Sequence, residues 1–204
     1  MFDGGSVAFW NEIFKPEKHI AIDINQRNDS DYFISYIKSN NLGNKISTFW
    51  NVNQSDKETL TNLCSKEFTS SLDLVIDDAS HMYSHTKNSF EILFPLLSPG
   101  GLYIIEDWAW GHWEDFFSPK HMWAHETVPT KLITELIELC GTDSSIISSV
   151  NVYQGFAVIE RGVSATIGKD FSIDKYIKRR PKHFPKLNMY QGVKNIAKSI
   201  LGRK

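Results

Sequence analysis

The chain has 204 residues, and its content of 41% hydrophobic and 13% aromatic residues is typical of one folded domain with a substantial core. Its two cysteines form no disulfide framework and no metal-ligand spacing. All 24 acidic residues lie at or before Asp174, whereas ten of the 22 lysines and arginines follow it, so the acidic body argues against nucleic acid as the main substrate. The sequence shows no apolar run long enough to span a membrane and no signal peptide, which predicts a cytoplasmic protein.

The first predicted elements surround a glycine turn. Gly4 and Gly5, followed by Ser6, precede a helix predicted over residues 7–14, and such a turn lets a ligand approach free backbone N–H groups. The predicted strand 19–24 carries Asp23 at its end, about 20 residues after the turn, where an acid can hold ribose hydroxyls. Because no phosphate-binding glycine pattern is present, these residues favour a nucleoside ligand without a pyrophosphate.

A second alternation of helix and strand follows. We predict a helix over residues 31–39, a strand over 45–51 and a helix over 56–68. Ser55 stands three residues before Glu58, the spacing of a capping box, so Ser55 is a candidate N-cap. Gln54 ends the strand and is either a contact to a purine or an ordinary polar loop residue.

The most informative stretch is a predicted strand–helix–strand unit with strands at 72–76 and 102–105 and a helix at 89–97. Asp77 and Asp78 follow the first strand, and Glu106 and Asp107 follow the second. Parallel strands place their carboxyl ends at one edge of a sheet, so the four carboxylates and His81 are expected to converge there. The alternative is that the acids end the strands in solvated loops, but two acidic pairs beside a histidine favour a site. An all-oxygen cluster suits Mg²⁺.

Downstream residues predict a pocket wall and the end of the sheet. Tryptophans at 108, 110, 113 and 123 indicate either the apolar wall of a pocket or a buried packing segment. A helix is predicted over 131–140, and strands over 145–153 and 156–160 form an antiparallel hairpin at Gln154-Gly155.

The composition changes after residue 162. We therefore expect a domain over residues 1–162, followed by a basic linker and an amphipathic helix within residues 163–204. The predicted helix 189–201 has a basic and an apolar face, which is typical of a helix that lies on an anionic membrane. The membrane surface expected here is the inner one. It could equally dock on the domain or on a second subunit of a homo-oligomer.

These features together resemble a known family. The order of strands and helices, the closing hairpin and the nucleoside site resemble the class I S-adenosylmethionine-dependent methyltransferases, which implies an α/β fold with a Rossmann-like doubly wound sheet and a C-terminal antiparallel hairpin. The motifs GGS, AIDI, NQSD, VIDDASH and SFEILFPLLSPGGLYIIED are similar to those of the metal-dependent macrolide sugar O-methyltransferases. They are equally similar to the family labelled cephalosporin hydroxylase and rhamnosyl O-methyltransferase.

The resemblance assigns roles by position. It implies S-adenosylmethionine and Mg²⁺ as cofactors, transfer of a methyl group to a hydroxyl of a sugar or glycosylated small molecule, and His81 as the general base. It implies the following ligands: for the metal, Asp78, Glu106 and Asp107; for the methionine moiety, Gly4, Gly5 and Ser6; for the ribose, Asp23; for the adenosine, Gln54 and Ser55; and Asp77 directed toward the cofactor.

The sequence departs from the family pattern at its start. The family has a strand before the glycine turn, at the centre of the sheet, and this sequence begins at Met1 inside that loop, so the first strand is missing from it. We expect an upstream segment, direct pairing of the flanking strands, or another chain to close the gap. The alternative function is therefore a non-catalytic binding or scaffold protein with a methyltransferase-like fold.

Overall fold

A computed structural model of the protein describes residues 1, 3–164, 167–168 and 170–180. Within these ranges, helices and strands alternate along the chain. The helices are α1 (Gly5–Phe14), α2 (Asp31–Ser39), α3 (Lys57–Glu67), α4 (Tyr83–Leu93), α5 (Thr130–Thr142) and α6 (Ile173–Tyr176). The strands are β1 (His19–Asp23), β2 (Ile46–Trp50), β3 (Leu72–Asp77), β4 (Leu97–Glu106), β5 (Ile147–Val152) and β6 (Phe156–Arg161). Short 3-10 helices lie at Phe94–Leu96, Trp110–His112 and Glu114–Phe116.

The strands form two sheets. Strands β1 and β2 pair in parallel, and a four-stranded sheet has the order β3-β4-β6-β5. In that sheet β3 and β4 are parallel, whereas β6 is antiparallel to both of its neighbours. The predicted α/β fold, the parallel neighbours and the closing hairpin are confirmed. Among the described strands, β1 does not pair with β3, so direct pairing of these two strands across the gap was a wrong expectation.

Several element boundaries differ from the predicted ones because tertiary contacts decide them. Helix α4 begins at Tyr83 rather than near residue 89, and β4 begins at Leu97 and includes the predicted Ser98–Gly101 turn. The turn is accommodated as a bulge, since the register with β3 shifts there and Gly100 has a φ of 80°. Helix α3 is capped by the side chain of Asp56, so Ser55 is not its N-cap.

The apolar side chains form two clusters. The larger cluster lies between the four-stranded sheet and helices α4 and α5, and it is built around Phe90, Phe94, Tyr103 and Leu136. The smaller cluster joins α1 and α2 to the two-stranded sheet through buried residues such as Val7 and Phe33. Each sheet therefore carries its own apolar cluster.

The segment after residue 162 is part of the larger cluster where it is described. Phe171 and Ile173 are buried in that core, and Ile173 N donates to Glu91 Oε1 at 2.8 Å. Apolar side chains of this segment thus extend the core beyond residue 162, whereas the predicted division of the chain at that residue stays a prediction. The predicted amphipathic helix 189–201 lies outside the described residues. No helix in the described part of the chain is long and apolar enough to cross a membrane.

A buried polar network connects the loop after β2 to the four-stranded sheet. Gln54 Nε2 donates to Asp77 Oδ1 at 3.0 Å, and Gln54 Oε1 accepts from the backbone N–H of Ser80 at 2.9 Å. The Asp77 carboxylate also accepts hydrogen bonds from the Tyr103 hydroxyl at 2.9 Å and from the Ser89 hydroxyl. Burial raises the pKa of Asp77, and these donors oppose the shift. The network satisfies a carboxyl group that would otherwise be buried without partners.

The position of Phe171 in the core generates a stability prediction. Phe171 is only 4% exposed, and truncation of a buried phenylalanine to alanine costs about 3–5 kcal/mol. We expect Phe171→Ala to lower the free energy of unfolding by that amount in urea denaturation. Val163→Ala is the matched control, since Val163 is 80% exposed. Equal midpoints for the two variants would show that the segment does not contribute to the core.

The polar network generates a second stability prediction. Gln54→Leu removes the bridge to the sheet, and Tyr103→Phe removes one donor to the buried carboxyl. Gln54→Leu leaves the N–H of Ser80 without its acceptor, and Tyr103→Phe leaves the buried Asp77 carboxyl with one donor fewer. We expect each change to cost about 1–3 kcal/mol in urea denaturation. Tyr32→Phe is the control for the hydroxyl, because Tyr32 is 68% exposed. Losses no larger than that of the control would contradict a stabilising network.

Candidate active site

Three side chains meet at the carboxyl edge of the parallel pair β3–β4. Asp78 follows β3, His81 lies in the loop before α4, and Asp107 follows β4. One ligand atom from each residue lies within 4.8 Å of the other two, and His81 Nε2 is 3.8 Å from Asp78 Oδ1. The structure thus brings these three predicted residues together, as the topology of parallel strands requires. Their chemical roles stay predictions.

The backbone at this edge is held in an unusual conformation. His81 has a φ of 55° and Asp107 has a φ of 49°, in the left-handed region that non-glycine residues rarely occupy. Trp110 Nε1 donates to the carbonyl oxygen of His81 at 2.7 Å, and Asp107 N donates to the carbonyl oxygen of Gly155 at 2.7 Å. Each such conformation costs about 1–3 kcal/mol, so it persists only where the surrounding structure holds it in place. Residues in this conformation are found most often at functional sites. Here the two hydrogen bonds fix the loops that carry the site.

Burial and neighbouring charges raise the pKa of two carboxyl groups at this edge, those of Asp78 and Glu106. Burial raises the pKa of Asp78, and the charge of Asp107 adds to the shift while His81 opposes it. Burial also raises the pKa of Glu106, and the charges of Asp78 and Asp107 raise it further. Glu106 is therefore in electrostatic contact with the cluster, although it is not one of the three residues within 4.8 Å of each other.

This charge distribution fits a bound cation. Two unit charges 4 Å apart repel by about 4 kcal/mol at an effective dielectric constant of roughly 20. In the described part of the chain, no lysine or arginine forms an ion pair with Asp78, Glu106 or Asp107. The buried Nδ1 of His81 has no hydrogen-bond partner. Carboxylate oxygens are the donors that Mg²⁺ prefers, and the incomplete donor set leaves positions for water or substrate oxygens.

Asp77 and Gln54 have a different environment from the predicted one. Both were expected to contact the cofactor, but both are buried and hydrogen-bonded to each other in the network described above. Asp77 does point to the opposite side of the strand from Asp78, as alternation along a strand requires. In this structure both side chains have a structural role within the buried network, and their predicted contact with the cofactor stays a prediction.

The glycine turn opens α1 as predicted. Gly4 has a φ of 97°, and a Cβ atom at this position would lie 2.3 Å from the ring of Phe33. The glycine is therefore required by both conformation and packing. Gly5 N donates to Asp3 Oδ1 at 2.9 Å, and Ser6 lies exposed in the first turn of α1.

The two remaining predicted cofactor residues lie after β1 and β2. Asp23 Oδ1 accepts from the backbone and side-chain nitrogens of Asn25, both at 2.9 Å, and Asp23 Oδ2 lies 3.0 Å from the Met1 amino nitrogen. Its carboxylate thus lies beside the segment that leads into the glycine turn. The Ser55 hydroxyl is buried and has no hydrogen-bond partner among the described residues, whereas its N–H donates to Asn53 Oδ1 at 2.8 Å. Ser55 therefore retains a hydroxyl that a ligand could satisfy.

The tryptophan-rich segment lies against the cluster. Its rings pack on each other, with Trp123 stacked on Phe116 at 5.4 Å and tilted toward Trp110 at 5.1 Å between centroids. The ring of His81 lies 6.5 Å from that of Trp123. Trp110 is buried, as the packing interpretation requires, whereas Met122 is 85% exposed. The pocket-wall interpretation stays a prediction.

Sequence reasoning missed two contributions to the site. The hydrogen bond from Trp110 to the carbonyl of His81 has no local signal, because the two residues lie in different loops. Tyr103 and Ser89 hold Asp77, and the alternation of β4 could have placed Tyr103 on the buried face. The position of Ser89 depends on where α4 begins, which was predicted six residues too late.

Comparison with known proteins identifies the family. Residues 1–108 match the family described as "Methyltransferase domain". Demethylmacrocin O-methyltransferase of Streptomyces fradiae is 27% identical over 178 residues, which cover 81% of this chain and 42% of that protein. Mycinamicin VI 2''-O-methyltransferase of Micromonospora griseorubida is 33% identical over 113 residues, which cover 55% of this chain and 25% of that protein.

Solved structures agree with this match. The MycE methyltransferase from the mycinamycin biosynthetic pathway, in complex with Mg and SAH, has a TM-score of 0.57 and 28% identity, covering 81% of this chain and 42% of that chain. The present chain thus spans less than half the length of the curated relatives it matches. The matched region contains both acidic strand ends and His81. The chain belongs to the methyltransferase domain family, and its fold is that of the class I S-adenosylmethionine-dependent methyltransferases.

Proposed function

We propose that the protein transfers the methyl group of S-adenosylmethionine to a hydroxyl of a sugar or glycosylated small molecule, with Mg²⁺ at the edge of the sheet. The observation that carries this proposal is the convergence of Asp78, His81 and Asp107 within 4.8 Å. The relatives support the same chemistry, since the names of two of them describe O-methylation of a rhamnosyl tetracenomycin and of an olivosyl-oleandolide, and the solved relative contains Mg and SAH.

The proposed metal ligands are Asp78, Glu106 and Asp107. When bound there, Mg²⁺ would lower the pKa of a coordinated hydroxyl and orient it. The carboxylates supply the negative charge that retains the ion. Burial raises the pKa of Asp78 and of Glu106, and the charge of Asp107 adds a repulsion to both shifts that a cation would relieve.

His81 is the proposed general base. A neutral imidazole with an ordinary pKa near 6.5 can accept a proton at physiological pH. His81 Nε2 lies beside Asp78 Oδ1 at 3.8 Å, so the imidazole is adjacent to the position proposed for the acceptor oxygen. The hydroxyl proton passes to the imidazole while the oxygen forms the new C–O bond and the C–S bond of the sulfonium breaks.

The cofactor is proposed to lie across the glycine turn and the ends of β1 and β2. Gly4, Gly5 and Ser6 would contact the methionine moiety, Asp23 the ribose, and Ser55 the adenosine. The buried, unpartnered hydroxyl of Ser55 supports this placement. Gln54 and Asp77 support the loops from beneath, since both lie within the buried network.

A non-catalytic protein with the same fold is the second candidate. It is favoured by the internal use of Gln54 and Asp77 and by the contacts that Asp23 makes with Asn25. Calorimetric titration with S-adenosylmethionine separates the two candidates, because a catalyst must bind the cofactor. Membrane contact and self-association through residues 181–204 stay predictions.

The metal assignment predicts that substitution of Asp78 weakens Mg²⁺ binding and abolishes activity, whereas substitution of a nearby exposed acid does neither. Asp78→Asn removes a charged ligand, so we expect weaker Mg²⁺ binding in calorimetry and loss of methyl transfer. The affinity should fall by at least the roughly 10–100-fold that loss of an outer-shell partner costs. Chelation by EDTA should abolish activity of the unaltered protein, and added Mg²⁺ should restore it. Glu114→Gln is the control, since Glu114 is an exposed acid on the neighbouring 3-10 helix. Transfer that persists in EDTA would contradict the metal role.

The assignment of His81 as the general base predicts that its substitution lowers kcat and leaves ligand binding intact. We expect His81→Ala to lower kcat by about 10²–10⁴-fold, the usual contribution of a positioned base, while Mg²⁺ and S-adenosylhomocysteine still bind in calorimetry. His85→Ala is the control, because His85 is an exposed histidine in the first turn of α4, four residues after His81. Loss of Mg²⁺ binding in His81→Ala would instead identify His81 as a metal ligand.

A further inference from the structure

The long loop between β4 and α5, residues 107–129, contacts the backbone around His81 at two points. Trp110 Nε1 donates to the carbonyl oxygen of His81 at 2.7 Å. The backbone N–H of Tyr83, the first residue of α4, donates to the carbonyl oxygen of Thr127 at 3.2 Å. The loop therefore holds the chain both at the proposed base and two residues after it.

These two contacts come from a place where the loop closes on itself. Gly111 directly follows Trp110, and Val128 directly follows Thr127. A Cβ atom at Gly111 would overlap the side chain of Val128, so the two residues are in close contact and only glycine fits there without displacement. We call these four residues the loop neck. The neck keeps Trp110 and Thr127 next to each other where both reach the chain around His81.

The imidazole of His81 lacks the support that a positioned histidine usually has. Such a histidine normally donates one ring N–H to a carbonyl or carboxylate oxygen, and this bond fixes the orientation of the ring. Within the described residues, the buried Nδ1 of His81 has no hydrogen-bond partner. Its Nε2 lies 3.8 Å from Asp78 Oδ1, which is longer than a hydrogen bond. The orientation of the ring must therefore depend on contacts to the backbone and to the ring face.

Trp110 contributes to both kinds of contact. Its N–H binds the carbonyl oxygen of His81, whose φ of 55° persists only where the surrounding structure holds it. Its ring packs against that of Trp123 with centroids 5.1 Å apart, and the ring of Trp123 lies 6.5 Å from the imidazole. Because Trp110 is only 4% exposed, its indole is itself fixed by packing.

We infer that Trp110 is a positioning residue for His81. The hydrogen bond of its indole N–H holds His81 in the orientation in which the imidazole accepts the hydroxyl proton. This inference rests on the proposed function, since that function gives His81 the role of general base. Because Trp110 acts through the backbone of His81, loss of the bond should lower kcat and leave the binding of Mg²⁺ and S-adenosylhomocysteine unchanged.

The experiment removes the indole N–H and keeps the ring. In the full 204-residue chain, Trp110 is replaced by benzothienylalanine, which has the shape of tryptophan and a sulfur atom in place of the N–H. The control is the same replacement of Trp10, whose ring stacks on Phe14 within α1. Methyl transfer is measured with S-adenosylmethionine, Mg²⁺ and methyl α-L-rhamnopyranoside. Calorimetry measures the Kd values of Mg²⁺ and S-adenosylhomocysteine.

We expect benzothienylalanine at position 110 to lower kcat by about tenfold, the factor that corresponds to a hydrogen bond of about 1.4 kcal/mol. KM and both Kd values should stay unchanged, and the control should keep the kcat of the unaltered protein. An unchanged kcat in the variant at position 110 would overturn the inference. A higher Kd for Mg²⁺ would also overturn it, because the bond would then support the metal site rather than the base.

The two proposals fail in different ways. If the unaltered protein transfers no methyl group, the catalytic function is wrong, and the orientation of His81 is then measured by NMR with isotope-labelled histidine. The His81 signals are identified by their loss in His81→Ala. A shift of these imidazole signals on replacement of Trp110, but not of Trp10, supports positioning, whereas unchanged signals overturn it. If methyl transfer has the same kcat in all three proteins, the catalytic function stands and the positioning role is wrong.

Discussion

The parallel pairing of β3 with β4 is the constraint on which the site depends. Its register opposes Asp77 to Ile105, so that Asp78 and Glu106 follow at the same level of the sheet. Backbone hydrogen bonds alone thereby bring together acids that are 28 residues apart along the chain. The same pairing directs Asp77 and Tyr103 to the buried face and leaves Asp78 at the edge. One register thus separates a structural carboxyl group from candidate metal ligands.

The buried carboxyl group has its own role in the architecture. The two sheets are not joined by backbone hydrogen bonds among the described strands, and each has its own apolar cluster. Gln54 bridges them by donating to Asp77 and accepting from the backbone of Ser80. Since Ser80 directly precedes His81, the bridge also fixes the loop that carries the proposed base. A polar network that is costly to bury thus connects stability to the geometry of the candidate site.

Electrostatics and packing act together at the open edge of the sheet. Burial raises the pKa of Asp78 and Glu106, and the charge of Asp107 adds to both shifts. A cation at this edge would relieve that repulsion. The ring of Trp123 packs beside the same cluster, 6.5 Å from the ring of His81.

The sequence by itself determined the strand–helix order, the parallel neighbours and the convergence of Asp78, His81 and Asp107. These follow from hydrophobic periodicity and from the geometry of a strand–helix–strand unit, which are local properties of the chain. Only the tertiary structure decided that Gln54 and Asp77 bind each other, that Phe171 extends the core, and that Trp110 binds the carbonyl oxygen of His81. Each of these depends on contacts between segments distant in sequence, and the identity of a residue does not specify which partner will lie opposite it. Burial and cross-strand register supply that information, and both exist only once the chain has folded.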